Sequence, residues 1–457
     1  MKLSANANAG ARLDRLPFSS FHRRIMWLIG IGMFFDGFDI YVAATVLGAT
    51  LKSGFSTLSQ NAEFVSMTFL GMMIGSFLTG FLGDRYGRRF TYQANLAIFG
   101  IASIAAAFVS SMAWLIALRF IMGAGLGAEN VVGYATMTEF VPPQTRGKWL
   151  GIISVFVVGG LPASGLLGTL IVPSFGWRIL FVLGGLGAMV VWNLRKALPE
   201  SPRWLESIGR TEDADAILRD IEGQVSRQHG SLPPPPTPAP QIHSRQLGSL
   251  LNRVLLPRLV VGATTLVVVN TLIYGFVTWL PTFFVEQGRS IASSLVYALL
   301  MSMGAPLGSA IGAFTADSWG RRPTIVGASL LTIVIGTIYT LVSNSAMLLI
   351  TGFLLIIPIY VQVTLLFAIY IPELFPTEVR MRASGICNTV GRAATIVTPF
   401  VVVWLFKSYE VAGVLAFMIG LLIVQIVVVL IFGIEPRKRR LEEIHQEMPT
   451  AHEAARA

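Results

Sequence analysis

Twelve apolar runs, each about as long as a bilayer is thick and each bounded by charge, glycine or proline, constrain this chain more than any single motif does. A hydrocarbon layer of about 30 Å takes about 20 helical residues to cross. The runs fall near 25–48, 63–83, 91–110, 112–137, 149–172, 177–197, 258–286, 293–316, 323–343, 346–371, 383–406 and 410–434. Inside lipid every peptide N–H and C=O must be satisfied within its own segment, which leaves the helix as the form for runs of this length. The charged fraction, 13% against about 25% in soluble domains, has the same origin. Arg12, Arg15, Arg23 and Arg24 lead straight into the first long span, so no signal peptide is expected. The single cysteine, Cys387, rules out an intramolecular disulfide.

The net charge of +10 is distributed over loops. Nucleic-acid binding would need it on one soluble face, so no nucleic-acid partner is expected. With a cytoplasmic N-terminus, the outer loops carry only Lys52, Arg178, Arg289 and Lys407. Apart from Arg119 and Arg392, which lie within spans, the other basic residues fall on the opposite side. The positive-inside rule then places both termini in the cytoplasm.

The chain also repeats itself. GFLGDRYGRRF after span two returns as AFTADSWGRRP after span eight, from Asp84 to Asp317, an offset of 233. Glu139-x-x-Pro142-x-x-x-Arg146 returns as Glu373-x-x-Pro376-x-x-x-Arg380, an offset of 234. Two independent motifs at nearly one offset indicate two equivalent halves, the plan of many secondary transporters. The expected organisation is an N-terminal tail over 1–24, a six-helix bundle over 25–197, a linker over 198–257, a second bundle over 258–434 and a tail over 435–457. The linker opens with an amphipathic stretch, TEDADAILRDIEG, and continues into a stiff Pro-rich segment, Leu232 to Pro240.

Charges inside the spans are the next constraint. Asp36 and Asp39 stand three residues apart and share one helix face. A charge at mid-bilayer is costly unless it meets a partner or water, so these acids are candidates for a coupling site. Arg119 lies a few residues into span four, Glu129 farther along it, and Arg392 near the middle of span eleven. Glu129 reads equally as a second protonatable residue or as part of a local polar network. Nothing acidic lies within a turn of Arg392, so its partner comes from another span or from the substrate, and a planar guanidinium suits a bidentate carboxylate contact. The competing reading of Arg392 is a salt bridge to Asp36, Asp39 or Glu129. Phe34, Phe35, Tyr41, Asn270, Tyr274, Trp279, Tyr360, Gln362 and Asn388 could supply aromatic walls and hydrogen bonds around a cavity. In the loops, Arg85, Arg88, Arg89, Arg321 and Arg322 can pair with Glu139, Glu200 and Glu373. With Asp84, Arg146, Asp317 and Arg380, these form an expected cytoplasmic gate.

At these motifs the chain, from about Ile25 to Pro436, resembles the major facilitator superfamily. The signatures are Gly80-x-x-x-Asp84-Arg85-x-Gly87-Arg88-Arg89, Arg119-x-x-x-Gly123-x-Gly125-x-Gly127 and Pro199-Glu-Ser-Pro-Arg-Trp-Leu205, the last similar to the sugar-porter branch. Asp36-Gly37-Phe38-Asp39, Gly391-Arg392-Ala393 and Trp279-Leu280-Pro281-Thr282 are similar to aromatic-acid:proton symporters, with Ala394 in place of a glycine. Gly127-Ala128-Glu129 resembles nicotinate-type metabolite transporters. The resemblance implies an all-α membrane protein of twelve transmembrane helices in two pseudo-symmetric six-helix halves. It also implies that Asp39 pairs with Arg119 to govern proton coupling, the alternative being a static buried ion pair. Asp36 is then a second proton site or a lining residue.

The function expected is proton-coupled symport of a small organic anion, an aromatic or heteroaromatic carboxylate, by alternating access. Sugar or polyol symport and efflux of an organic cation are the alternatives. Spans five and seven, ISVFVVGGLPASG and ATTLVVVNTLIYG, offer few of the amides a sugar site needs. No nucleophile–base pair, metal-ligand cluster or phosphate loop suggests an enzyme, a metal or a cofactor, and GAGLGAE lies inside a span. The expected partners are substrate, protons and the lipid bilayer, with a monomer as the working unit in a bacterial inner membrane.

Overall fold

The computed structural model describes residues 8–141, 146–234, 255–342, 344–375 and 380–435. Every regular element among them is helical. In the first half these are α1 (Ala9–Asp14), α2 (Ser20–Lys52), α3 (Leu58–Tyr86), α4 (Arg88–Ala106), α5 (Met112–Phe140), α6 (Arg146–Phe175), α7 (Arg178–Leu194), α8 (Pro202–Ser207) and α9 (Thr211–His229). A 3₁₀ turn, Arg195–Ala197, follows α7. The second half holds α10 (Leu255–Gly275), α11 (Leu280–Glu286), α12 (Ile291–Ser302), α13 (Gly304–Ser318), α14 (Arg321–Leu341), α15 (Ser345–Thr364), α16 (Ile371–Glu373) and α17 (Arg380–Phe432). The chain divides into two compact units, Met1–Pro240 with Ser290–Leu295, and Gln241–Arg289 with Val296–Ala457.

Among the described residues, ten segments are long and apolar enough to cross a membrane. Two more complete the twelve. The 19-residue α4 is diluted by Arg88, Arg89, Gln93 and Asn95 but runs the length of a span. The 53-residue α17 is broken at Glu410, whose φ of 55° and ψ of −154° are not helical, so it comprises two helices. Span seven is itself interrupted. A 3₁₀ turn at Val277–Trp279 separates α10 from α11, and Pro281 sits in the first turn of α11 where its missing N–H costs nothing.

Small residues set how closely the helices approach. In the first unit α3 packs along α5 and α2 along α6, with α4 between α5 and α7. A Cβ on Gly123 or Gly127 of α5 would meet the carbonyl oxygens of Thr68 or Met72 at 2.3 or 2.0 Å, far inside contact distance. Gly71 and Gly75 of α3 meet the Phe120 and Ala124 carbonyls in the same way. This glycine seam lets two backbones touch, and Ser76 Oγ donates across it to the Gly127 carbonyl at 2.9 Å. In the second unit α13 packs along α15 through Gly304, Gly308 and Gly312, so the sequence repeat reappears as a repeat of packing.

The segment expected to be an N-terminal tail contains α1 and the start of α2. Ala9, Leu13 and Leu16 join Leu218, Ile221 and Val225 of α9 in one buried cluster. Arg12 donates to Glu222 (2.6 Å) and Asp215 (2.6 Å), and Arg15 donates to Glu222 (2.6 Å). Glu206 of α8 accepts from the backbone N–H of Asn8 and Ala9, capping α1. The Pro-rich stretch beyond residue 234 and the C-terminal tail beyond 435 lie outside the described residues.

Candidate functional site: two buried ion pairs, a lone guanidinium and paired loop clamps

Arg119 enters the first unit from α5 with no exposed surface and engages all three of its nitrogen groups. Nη1 donates to Asp39 Oδ2 at 2.5 Å, Nη2 to the Asp39 carbonyl at 2.8 Å, and Nε to Thr68 Oγ1 at 3.1 Å. The guanidinium also lies 5.2 Å from the centre of the Phe64 ring. One cation thus ties α2, α3 and α5 around a single carboxylate. The structure brings together the expected Asp39 and Arg119.

A second pair lies nearby in the same unit, and it includes a residue that the sequence places among the orientation charges. Arg195, in the 3₁₀ turn after α7, is 1% exposed. Its Nη1 donates to Glu129 Oε1, and Nε and Nη2 donate at 3.0 Å to the carbonyls of Leu28 and Ile29. It stacks 4.6 Å above the Tyr92 ring. A Cβ on Gly32 would fall inside this guanidinium, so the glycine makes its room. The clue in the sequence was Glu129 itself, because a buried acid in the loop-side half of a span needs a cation. Asp36 is 1% exposed, lies within electrostatic reach of Glu129, Arg195 and Asp39, and leaves Oδ2 without a hydrogen-bond partner.

In the second unit, α10 and α17 bring three expected substrate residues into one neighbourhood. A Cβ on Gly391 would meet Asn270 Nδ2 at 2.8 Å, which puts Asn270 beside the residue preceding Arg392. Tyr274, one turn beyond Asn270, interacts electrostatically with Arg392. Among the described residues no carboxylate pairs with Arg392. Asn388, one turn before it, donates to the Ser384 carbonyl at 2.9 Å. Trp279 is buried in the break of span seven and stacks on Phe283 (6.4 Å, 29°), which in turn stacks on Phe406 (4.8 Å, 21°).

Two expected lining residues are held differently. Gln362 is part of a buried amide network. Gln425 Nε2 donates to Gln362 Oε1 (2.7 Å) and Ser329 Oγ (2.9 Å), while Gln362 Nε2 donates to Thr332 Oγ1 and the Pro358 carbonyl, both at 3.3 Å. Its capacity goes to joining α14, α15 and α17. Phe35 packs over Gly187 of α7, where a Cβ would collide with its ring, and meets Phe34 edge-on at 5.6 Å.

The loop motifs form one clamp in each unit. In the first, Gly87 at φ 95° turns the chain from α3 into α4. Glu200 accepts from the N–H of Arg88 (3.0 Å) and Arg89 (3.2 Å) at the start of α4, and Arg88 Nε donates to Glu139 at 3.3 Å. In the second, Gly320 at φ 106° precedes α14. Glu435 accepts from the N–H of Arg321 (3.0 Å) and Arg322 (2.8 Å), and Arg321 holds Glu373 through two bonds of 2.9 and 3.1 Å. Each acid sits on a helix N-terminus, where backbone donors and the dipole favour an anion. The contacts of both clamps lie within their own half. Glu435 was not among the expected residues, yet its offset from Glu200 is 235, close to those of the other motifs. Arg85 is exposed and lies 5.5 Å from the Tyr86 ring. The side chains of Asp84, Arg146, Asp317 and Arg380 lie outside the described residues.

Known proteins are similar to this chain over almost its full length. The family model for "Sugar (and other) transporter" matches residues 25–448. The inner membrane metabolite transport protein YdjE of Escherichia coli K12 is 40% identical over 447 residues, covering 96% of this chain and 98% of YdjE. The niacin transporter NiaP of Acinetobacter baylyi is 29% identical, covering 95% of this chain and 99% of NiaP. Among solved structures, the major facilitator proton:xylose symporter XylE bound to 6-bromo-6-deoxy-D-glucose superposes with a TM-score of 0.70 at 18% identity, covering 94% of this chain and 99% of XylE. Twelve helices in a repeated pattern, two buried ion pairs and a family match across both halves agree: the chain belongs to the sugar (and other) transporter family of the major facilitator superfamily and is a membrane transporter of metabolites, not an enzyme.

Proposed function

We propose that this transporter is a proton-coupled symporter of a small organic anion, an aromatic or heteroaromatic carboxylate. It works as a monomer by alternating access in a bacterial inner membrane, with both termini cytoplasmic. The observation that carries the anion reading is Arg392. It is a guanidinium deep in a span, with Asn270 and Tyr274 grouped near it and no described carboxylate paired to it. A desolvated cation of this kind favours an anionic ligand, and its planar fork matches a carboxylate. NiaP, similar over nearly its whole length, is named for niacin, which is such an acid.

Asp39 is the proton carrier in this reading. Its carboxylate is neutralised by Arg119, which stays protonated, and loading a proton on Asp39 releases that guanidinium. The proton and the bound anion together add no net charge to the site, and the loaded halves then exchange access. A sugar site would need several available amides, and Gln362 and Gln425 hydrogen-bond each other instead. The test is a thermal-shift screen of the purified protein with nicotinate, benzoate, xylose and tetraethylammonium at two pH values. Stabilisation by the carboxylates, greater at the lower pH, is expected. Stabilisation by xylose or the cation alone would overturn the reading.

A further inference from the structure

Among the described residues of the first unit, three buried carboxylates, Asp36, Asp39 and Glu129, accompany two buried guanidinium groups, Arg119 and Arg195. Arg119 is committed to Asp39 and Thr68. Arg195 is committed to Glu129 and to the carbonyls of α2. Asp36 is left over. The charged groups that reach it are Glu129 from α5, Arg195 from the turn after α7, and Asp39 from its own helix. Along α6 the neighbours of this stretch of α2 are the Val157 backbone and Gly160, which carry no charge. Tyr92 of α4 faces Arg195 with its ring. Asp36 Oδ2 and Glu129 Oε2 are both buried without a hydrogen-bond partner. A third anion cannot be held beside two cations already neutralised without a large desolvation cost, and a proton removes that cost.

We propose that Asp36, Glu129 and Arg195 form a second proton-binding site, separate from the Asp39–Arg119 pair, in which Asp36 holds a proton while Glu129 neutralises Arg195. The site stores one proton on whichever acid Arg195 is not neutralising. If the proton passes to Glu129, Asp36 becomes the anion for Arg195, and the guanidinium is drawn from α5 toward α2. Proton occupancy on α2 is thereby linked to the joint between α5, α7 and the loop that follows. The proposal extends the proton-coupled reading but needs neither a particular cargo nor a coupling role for Asp39.

Infrared spectroscopy of the purified full-length protein at neutral pH, without substrate, reads this directly through the C=O stretch of a protonated carboxylic acid. The expected result is one such band in the parent, kept in Asp39→Asn and lost in Asp36→Asn. Glu129→Gln hands Arg195 the Asp36 carboxylate and is expected to lose the band as well, so the test stands if Asp36→Asn does not fold. A parent without the band, or a band surviving both Asp36→Asn and Glu129→Gln, overturns the site. A band lost only in Asp39→Asn also overturns it, while leaving Asp39 as the proton carrier.

Discussion

Arg195 lies over Gly32, and the space where that glycine lacks a side chain is the space its guanidinium fills on the way to Glu129. An aliphatic stem that closes α7 thus reaches two other helices. The pairing has an energetic signature that distinguishes it from an ordinary loop charge.

Arg195→Met leaves Glu129 buried without a cation, at a cost of about 3–5 kcal/mol. Arg195→Met combined with Glu129→Gln removes both charges and is expected to recover most of that loss. Gly32→Val should resemble the single variant, because its side chain would displace the guanidinium. Thermal unfolding in detergent compares the three, and a double variant as unstable as Arg195→Met would contradict the pairing.

Glu200 and Glu435 each satisfy two backbone donors at the start of a helix. Replacing either by Ala should cost about 0.5–2 kcal/mol, the range for lost helix caps. The two carboxylates cap helices of different units, so the effects should add in the double variant. Equilibrium unfolding measures this, and a neutral Glu435→Ala would remove it from the repeat.

Docking of α1 on α9 should be stable to mild acid. The Arg12 hydrogen bond holds the Asp215 carboxyl below its ordinary range, with Arg219 adding to it. For Glu222 burial acts the other way, but hydrogen bonds from Arg12 and Arg15 outweigh it and keep it low too. A carboxylate with a depressed value contributes stability that is present above its unfolded value and lost as pH falls through the folded one. Spin labels on α1 and α9 should therefore stay close from neutrality down to the ordinary carboxylate range and separate only below it. Separation beginning near neutrality would contradict this assignment.

Arg392→Lys keeps the charge and loses the planar fork. If the guanidinium holds a substrate carboxylate through charge-assisted hydrogen bonds, nicotinate or benzoate should bind about 10–100-fold more weakly, equivalent to about 1.5–3 kcal/mol. Calorimetric titration of the purified variant reads this. Unchanged affinity would remove Arg392 from the site.

Much of this was legible in the sequence. The apolar runs carry a twelve-helix pattern because lipid leaves the backbone no other choice, although α4 is too polar in its first turns for hydropathy alone to mark it. The Asp39–Arg119 pair was legible through the family resemblance, because charge alone shows that buried acids and arginines need partners and leaves open which of Asp36, Asp39 and Glu129 pairs with which arginine. Arg195 was not, since a basic residue at a span's end looks like an orientation signal, and only packing shows that it turns inward. Glu435 was hidden by the repeat's incompleteness: Pro199-Glu-Ser-Pro has only Glu435-Pro436 as its counterpart. Gln362 looked available because sequence cannot show that Gln425, on a distant helix, hydrogen-bonds to it.

Proton coupling through Asp39 is the central claim, and uptake into proteoliposomes tests it most directly. With labelled nicotinate or benzoate and an inward proton gradient, the parent should accumulate substrate above equilibrium. Asp39→Asn should equilibrate the same substrate without accumulating it. Uphill accumulation by Asp39→Asn, or a parent indifferent to the gradient, would contradict the account.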